Sequence, residues 1–289
     1  MSMFIADAQA HIWAPNSPQR PWVAGREPHR KTALGAEELL GLMDEAGVSR
    51  CVLIPPSWDA DRNDLVLAAA QRYPQRFAAM GRFDLDAPDA AGRVKTWCDT
   101  PGMRGFRISF SLPRWAAALE EQRVDWLWRA AEDAQVPIAL MVSQAQLPLV
   151  DAVAARFTGL KLVICHLALP TEDKDEAAFR DFDLILPLAK RRNVMLKVSA
   201  LPAYTSEAYP FRALHPYIRR VYDAFGARRL FWGTDLARLP CGYGEAIDLF
   251  VEELPWLSAD DKAWIMGRGL CEWLGWSLPL AVTNPTGQT

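Results

Sequence analysis

The chain has 289 residues, 51% of them hydrophobic, and a formal net charge of −3. That length suits one large domain or two ordinary ones, and nothing in the charge suggests the clustered basic face that nucleic-acid binding requires. The five cysteines (Cys51, Cys98, Cys165, Cys241, Cys271) are scattered and odd in number, with no CxxC pair, so neither a disulfide framework nor a structural zinc knuckle is expected.

Short apolar runs alternate along the chain with longer segments of helical period. The strand candidates are 4–8, 50–56, 77–83, 103–110, 137–142, 160–166, 193–200 and 229–235. Helical candidates fall between them at 36–47, 63–73, 89–98, 124–134, 147–157, 177–192, 215–225 and 244–254, with a last one at 260–276. Ser258, with Asp261 three residues on, reads as the N-cap pair of that last helix. Several of the strands are continuous apolar runs, which suits parallel strands buried on both faces. Strict βα alternation implies right-handed crossovers. Eight such units predict a single (β/α)8 barrel over 1–276, with its active site at the C-terminal mouth of the strands. The rival is a doubly wound open sheet, which favours a glycine fingerprint after the first strand. Here "HIWAPNSPQRPW" follows instead. Segment 12–35 is a long irregular loop, and a loop of that length in a compact domain is usually functional. Residues 277–289 read as a C-terminal extension.

In a barrel the chemistry sits at the C-terminal ends of strands. Strand 1 offers Asp7, Gln9 and His11, spaced two apart and so expected on one side of the strand. Strands 3 and 4 end in Arg82, Asp84, Arg107 and Ser109, and strand 5 in Ser143 and Gln144. Strand 6 ends in His166, strand 7 carries Lys197 and Ser199, and strand 8 ends in Asp235 with Arg238 beyond. A lone strand-end histidine is often structural, and a strand-end aspartate is often a helix cap. His11, His166 and Asp235 together make a functional set. Lys197 needs a carboxylate partner or a wet mouth, because an isolated buried ammonium is costly; substrate binding and a structural ion pair are equal readings for it. Trp13 and Trp22 in the first loop are candidates for lining a pocket, and Tyr204 and Tyr209 offer hydroxyls. His29 reads first as an ordinary loop residue within reach of the mouth, and His215 as structural.

The order and spacing of "DAQAHIW" (7–13), "YPQRFAAMGRFD" (73–84), "GMRGFRISF" (102–110), "LVICHLALP" (162–170), "NVMLKVSAL" (193–201), "RLFWGTDLARLP" (229–240) and "LSADDKAWIMGRGLCEWLGW" (257–276) resemble the amidohydrolase superfamily. The resemblance is to its lactonase-like branch, which includes 2-pyrone-4,6-dicarboxylate lactonase and sugar-lactone hydrolases. It implies a barrel hydrolase acting on a lactone or on a related ester-like or C–C bond. The family's strand 1 motif D-x-H-x-H falls on Asp7, Gln9 and His11, its strand 6 histidine on His166 and its strand 8 aspartate on Asp235. Three departures stand out: Gln9 replaces a histidine, strand 5 ends in "MVSQ" without one, and Gly269 stands where relatives commonly carry Asn.

Gln9 is a poor zinc ligand, so the expected site has no catalytic metal and no cofactor. The pyrone-dicarboxylate lactonase of the branch likewise works without a metal ion. Asp235 is expected to be the general base, assisted by a raised pKa in a semi-enclosed mouth. His11, His166 and Gln9 polarise the carbonyl. Arg107, Lys197, Ser199, Ser143, Trp13, Arg238 and Tyr204 are expected to bind a carboxylated or polyhydroxylated substrate. The alternative is a mononuclear zinc hydrolase or decarboxylase with His11, His166 and Asp235 as ligands. A lactone isomerase and a decayed binding protein are the remaining alternatives. No signal segment and no stretch of bilayer length is visible, so the expected protein is soluble and cytoplasmic. Its partner is a small-molecule substrate, with neither nucleic acid nor membrane. A homo-oligomer is compatible with the sequence, which leaves the oligomeric state open.

Overall fold

A computed structural model describes residues 3–30, 32–111 and 113–279. Its eight strands are β1 (Ala6–Ala10), β2 (Arg50–Leu53), β3 (Phe77–Arg82), β4 (Met103–Ser109), β5 (Ile138–Met141), β6 (Leu162–Ile164), β7 (Val194–Ser199) and β8 (Leu230–Gly233). They pair in chain order, each parallel to the next. The fold is a single (β/α)8 barrel. No described helix is long and apolar enough to cross a membrane.

The helices between the strands are α1 (Ala36–Glu45), α2 (Asp64–Arg72), α3 (Ala90–Lys95), α4 (Pro113–Glu120), α5 (Asp125–Asp133), α6 (Leu147–Arg156), α7 (Asp175–Phe179), α8 (His215–Phe225) and α9 (Tyr243–Val251). α10 (Ala259–Ala263) and α11 (Gly269–Leu274) close the chain, joined by a π-turn over Trp264–Arg268. The Ser258 cap is present: its hydroxyl accepts the Asp261 N–H at 3.1 Å, and its own N–H donates to Asp261 Oδ2 at 3.2 Å. Helix 177–192 is a correction. Its turns split into α7 and a 3-10 segment over Phe182–Lys190, because Pro187 lacks the N–H that an α-helix needs there. The segment after β4, where the sequence offers no helical candidate, contains α4. Pro113 starts it, and Trp115, Ala118 and Leu119 repeat at helical spacing and are buried.

Inside the barrel the sequence supplies small residues. Ala6, Ala8, Ala78, Ala139 and Val163 share one cluster with Phe231. At the N-terminal end, Leu270, Trp273 and Trp276 join that cluster. Arg50 lies 4.6 Å from the Trp276 ring and donates to the Trp276 carbonyl at 3.3 Å. At Gly269 an added Cβ would lie 3.1 Å from two carbonyl oxygens and 3.2 Å from the Phe231 ring, so a side chain there would require these neighbours to give by a few tenths of an ångström. Of the expected extension, 280–289 lie outside the described residues, while Leu278 packs against the same cluster.

The seam between β8 and β1 depends on Asp7. Its Oδ1 accepts the N–H groups of Gln9 and Thr234, each at 2.9 Å, and its Oδ2 accepts the Thr234 hydroxyl and the Tyr243 hydroxyl, the latter at 2.7 Å. A Cβ at Gly233 would sit 3.0 Å from that carboxylate and 3.1 Å from two β1 amide nitrogens, so the close approach requires glycine there. This corrects the expectation that Asp7 faces the mouth with Gln9 and His11. The β1–β2 register slips between Asp7 and Ala10, and such an irregularity re-aims side chains. Ala8 therefore packs inside the barrel, and Asp7 is spent on the seam.

Candidate active site

Four side chains meet at the mouth: Gln9 and His11 from the end of β1, His166 just beyond β6, and Asp235 just beyond β8. All four are buried. His166, Leu167 and Ala168 run through the left-handed region at φ 49°, 55° and 57°, and Asp235 sits there at φ 49°. None is glycine, so each costs about 1–3 kcal/mol, and such strain collects at functional sites. The Asp235 N–H donates to the Gln9 carbonyl at 2.8 Å, which fixes the carboxylate beside β1.

Hydrogen bonds settle the tautomers. Lys197 Nζ can only donate, and it lies 3.2 Å from Gln9 Oε1. The amide NH2 of Gln9 therefore faces His166 Nε2, at 3.0 Å. His166 Nε2 is an acceptor, and its Nδ1 carries the proton. That Nδ1 meets the Ser199 hydroxyl at 2.8 Å and the Ser199 carbonyl at 3.3 Å. Burial pushes the His166 imidazole down to about 3. His11 Nδ1 donates to the Ile54 carbonyl at 2.6 Å, which turns Nε2 toward Asp235 Oδ1, 3.1 Å away. That contact lacks hydrogen-bond alignment and leaves Oδ1 buried without a partner. Burial alone would raise the Asp235 pKa, but His11, His166 and Arg238 outweigh it and hold the carboxyl well below the usual carboxylate range. The expected upward shift is thus reversed: the field of these three neighbours wins over desolvation.

The neutral His166 has a measurable consequence. The unfolded chain takes up a proton at its ordinary 6.5, whereas the native imidazole does so only near 3. Between those values the unfolded state binds more protons, so stability is undiminished above pH 6.5 and is lost as pH falls. The slope from this group is at most about 1.4 kcal/mol per pH unit. Urea midpoints taken from pH 7 to pH 5 are expected to fall, and the His166→Gln variant to show a flatter trend. Equal slopes would refute the assignment.

A cavity of about 200 Å3 opens over these groups. Arg107 and Arg238 line it, as does Ser109. Arg26 and His29 reach it from the first loop, and Ser57, Trp58, Ser111 and Thr171 complete much of the wall. The loop is held in place by Arg20, which bonds Asp59 Oδ1 at 2.8 Å and Asp64 Oδ2 at 2.7 Å, and by the Val23 N–H on the Trp58 carbonyl at 2.8 Å. Trp58 follows the strand candidate 50–56 with no signal that marks it for the mouth; its ring stands 6.1 Å from that of His11, edge-on. Arg26 carries no local signal, since only the folded course of the loop brings it to the mouth.

Five expected substrate contacts lie elsewhere. Lys197 sits beneath Gln9, wholly buried, with no carboxylate within ion-pair distance among the described residues. Both readings of this residue give way to one in which it holds an amide. Ser199 orients His166. Tyr204 is buried and accepts from Arg238 at 3.1 Å. Ser143 lines a neighbouring cavity of about 430 Å3, which shares Ser111, Met141 and Thr171 with the mouth. Trp13 pairs with Leu34 across the base of the first loop and lines an apolar cavity of about 390 Å3 beside α1 and α2. Trp22 is used within the loop, its indole donating to the Ala14 carbonyl at 3.2 Å, and Tyr209 is exposed and bonds Glu253.

A divalent ion would need His11, His166 and Asp235 to converge their lone pairs. The His166 lone pair already faces an amide donor, and the Lys197 ammonium stands behind that amide. Among the described residues no group of three His, Cys, Asp or Glu side chains is arranged to hold a metal ion. The zinc ligand set expected as the alternative does not fit this arrangement.

A parallel eight-stranded barrel with imidazole, amide and carboxylate groups gathered at its C-terminal mouth defines an enzyme of the barrel-hydrolase class. The chain belongs to the amidohydrolase family, whose sequence profile matches residues 6–268. It is 27% identical over 284 residues to an L-fucono-1,5-lactonase of Burkholderia ambifaria, covering 93% of this chain and 94% of that protein. Its fold resembles that of an amidohydrolase from Burkholderia multivorans solved with bound zinc (TM-score 0.78, 23% identity, 96% of this chain and 100% of that one). It also resembles a probable 2-pyrone-4,6-dicarboxylic acid hydrolase from Acinetobacter baumannii with bound citric acid (TM-score 0.73, 18% identity, 94% and 100%).

Proposed function

We propose that the protein opens the ring of a small lactone by water attack, without a catalytic metal. The single observation that carries this reading is Asp235 Oδ1, a buried, ionised carboxylate oxygen with no hydrogen-bond partner, beside His11 at the mouth. In this reading Asp235 takes a proton from the attacking water. A low pKa makes it a weak base, so the water needs activation from the carbonyl side. The second amide hydrogen of Gln9 supplies that, donating to the carbonyl oxygen as negative charge develops there. Lys197 behind the amide oxygen strengthens the donor by polarising it. His166, expected as a direct donor, instead orients Gln9. His11 steers Asp235 and the water. The likeness to the fuconolactonase over nearly the whole of both chains supports a lactone as substrate.

The test is ring opening of a panel of sugar and dicarboxylate lactones, followed by proton release, with and without a chelator. Turnover unaffected by chelator is expected. Turnover abolished by chelator and restored by zinc would overturn the metal-free mechanism, and no turnover across the panel would overturn the lactone substrate.

A further inference from the structure

Lactone opening needs a second proton transfer, which neither Asp235 as base nor the Gln9 amide as donor supplies. The ring oxygen departs as an alkoxide, a poor leaving group unless a positioned acid protonates it as the bond breaks. The lining of the mouth cavity narrows the choice of that acid. Burial pushes the His166 imidazole down to about 3, so near neutral pH its Nε2 has no proton to give, and its Nδ1 is engaged with Ser199. His11 spends its Nδ1 proton on the Ile54 carbonyl, and a proton on its Nε2 would be held by Asp235, the carboxylate that has to receive the proton of the water. The arginines of the lining keep their protons, as guanidinium groups in proteins do. The hydroxyls of its serines and of Thr171 are no stronger acids than the alcohol that has to be formed. His29 remains. It lines the same cavity as Gln9, His11, His166 and Asp235, it is exposed, and its ring makes no hydrogen bond or ion pair among the described residues. The loop that carries it is pinned on both sides. Arg20 bonds Asp59 and Asp64, Arg30 bonds Glu38 of α1 at 2.5 Å, and the Trp13 N–H closes the base of the loop on the Leu34 carbonyl at 3.0 Å. A free imidazole is thus held over the site by neighbours that leave the ring itself unengaged.

We infer that His29 is the general acid of ring opening, a catalytic residue that protonates the departing ring oxygen. The inference rests on the lactone reading and deepens it. Water adds its oxygen to the acyl carbon and gives one proton to Asp235. The acyl C–O bond then breaks, and its electron pair stays on the ring oxygen, which takes a proton from the His29 imidazolium and becomes a hydroxyl. The new carboxyl group ionises. Asp235 returns its proton to solvent, and the exposed His29 takes one up, so each turnover consumes one water and releases one proton. Imidazole is the side chain whose unperturbed charge change falls near neutrality, which suits it to give and regain a proton in every cycle. The exposure of His29 gives it direct access to bulk water for that recharging, which the buried His11 and His166 lack.

The test is the leaving-group dependence of His29→Ala, with circular dichroism on the same preparation. The two substrates are the fastest sugar lactone of the panel above, which leaves as an aliphatic alkoxide, and dihydrocoumarin, which leaves as a far less basic phenolate and needs no acid. On the sugar lactone His29→Ala is expected to lose about a hundredfold in kcat, and on dihydrocoumarin to stay within about threefold of the wild type. Added imidazole is expected to restore sugar-lactone turnover in His29→Ala and to leave the wild type unmoved. Where dihydrocoumarin is not turned over, this rescue decides in its place, and its absence overturns the inference. An unchanged rate on the sugar lactone shows that Asp235 itself returns the proton and overturns the inference. Equal losses on the two lactones show that His29 only binds or shapes the mouth and overturn it as well. Both of these results leave the lactone reading intact. A wild-type protein inert on the whole panel overturns the lactone reading, and this inference with it.

Discussion

Asp235→Asn is expected to lower kcat by about a thousandfold, within the range for removing a general base, while the folded state survives. The substitution keeps the shape of the side chain and removes only its ability to accept a proton. Nothing in the fold depends on Oδ1, which has no hydrogen-bond partner. The backbone bond from Asp235 N–H to Gln9, which helps close the barrel, is untouched. Steady-state kinetics and circular dichroism on the same preparation decide the matter. Full activity in a folded variant would remove Asp235 from the chemistry. Lost activity with lost structure would make it a seam residue like Asp7.

Lys197→Met is expected to lower kcat by about a hundredfold, with KM and stability much less affected. Its direct role is to hold Gln9. Without the ammonium the amide is free to turn, presenting oxygen instead of N–H to the carbonyl, and an oxyanion donor is worth about 10²–10³ in rate. The loss of stability is small because burial of the ammonium is itself costly and lowers its pKa. A drop in KM affinity equal to the drop in kcat would instead indicate direct substrate contact. The same lysine bears on metal binding. Gln9→His adds an imidazole beside His11 and His166, but it leaves the Lys197 charge without its acceptor and facing the site. Zinc affinity is therefore expected to rise clearly only in the double variant Gln9→His/Lys197→Met, measured by competition with a chromogenic chelator. Equal zinc binding by both variants would show that Lys197 does not govern the site.

Much of this site is legible in sequence because a barrel turns chain position into spatial position. Once eight βα units are recognised, every strand end points to one mouth, so His11, His166 and Asp235 meet although they are far apart in the chain. The same logic fails where the backbone is irregular. Asp7, Gln9 and His11 keep a spacing of two, but the slip between Asp7 and Ala10 puts Asp7 outside and leaves only the other two at the mouth. It also fails for depth. Lys197, Ser199 and Arg107 all lie on strands near the mouth, yet only Arg107 lines the cavity, while Lys197 and Ser199 support the layer above them.

The sequence by itself determined the barrel, its strand order and the residue types at the mouth, because these follow from the alternation of buried runs and helical periods, which is local. It also marked Gln9 as the departure that weakens a metal site. Only the tertiary structure decided which hydrogen bond each of these groups makes. Lys197 orients Gln9, Gln9 fixes the tautomer of His166, and His11, His166 and Arg238 together depress Asp235 instead of desolvation raising it. It decided too that Arg26 and Trp58 belong to the mouth and that Trp13 does not. Charge and hydrogen-bond geometry act through distance in space, and the distances among β1, β6, β7, β8 and the first loop are set only when the barrel closes.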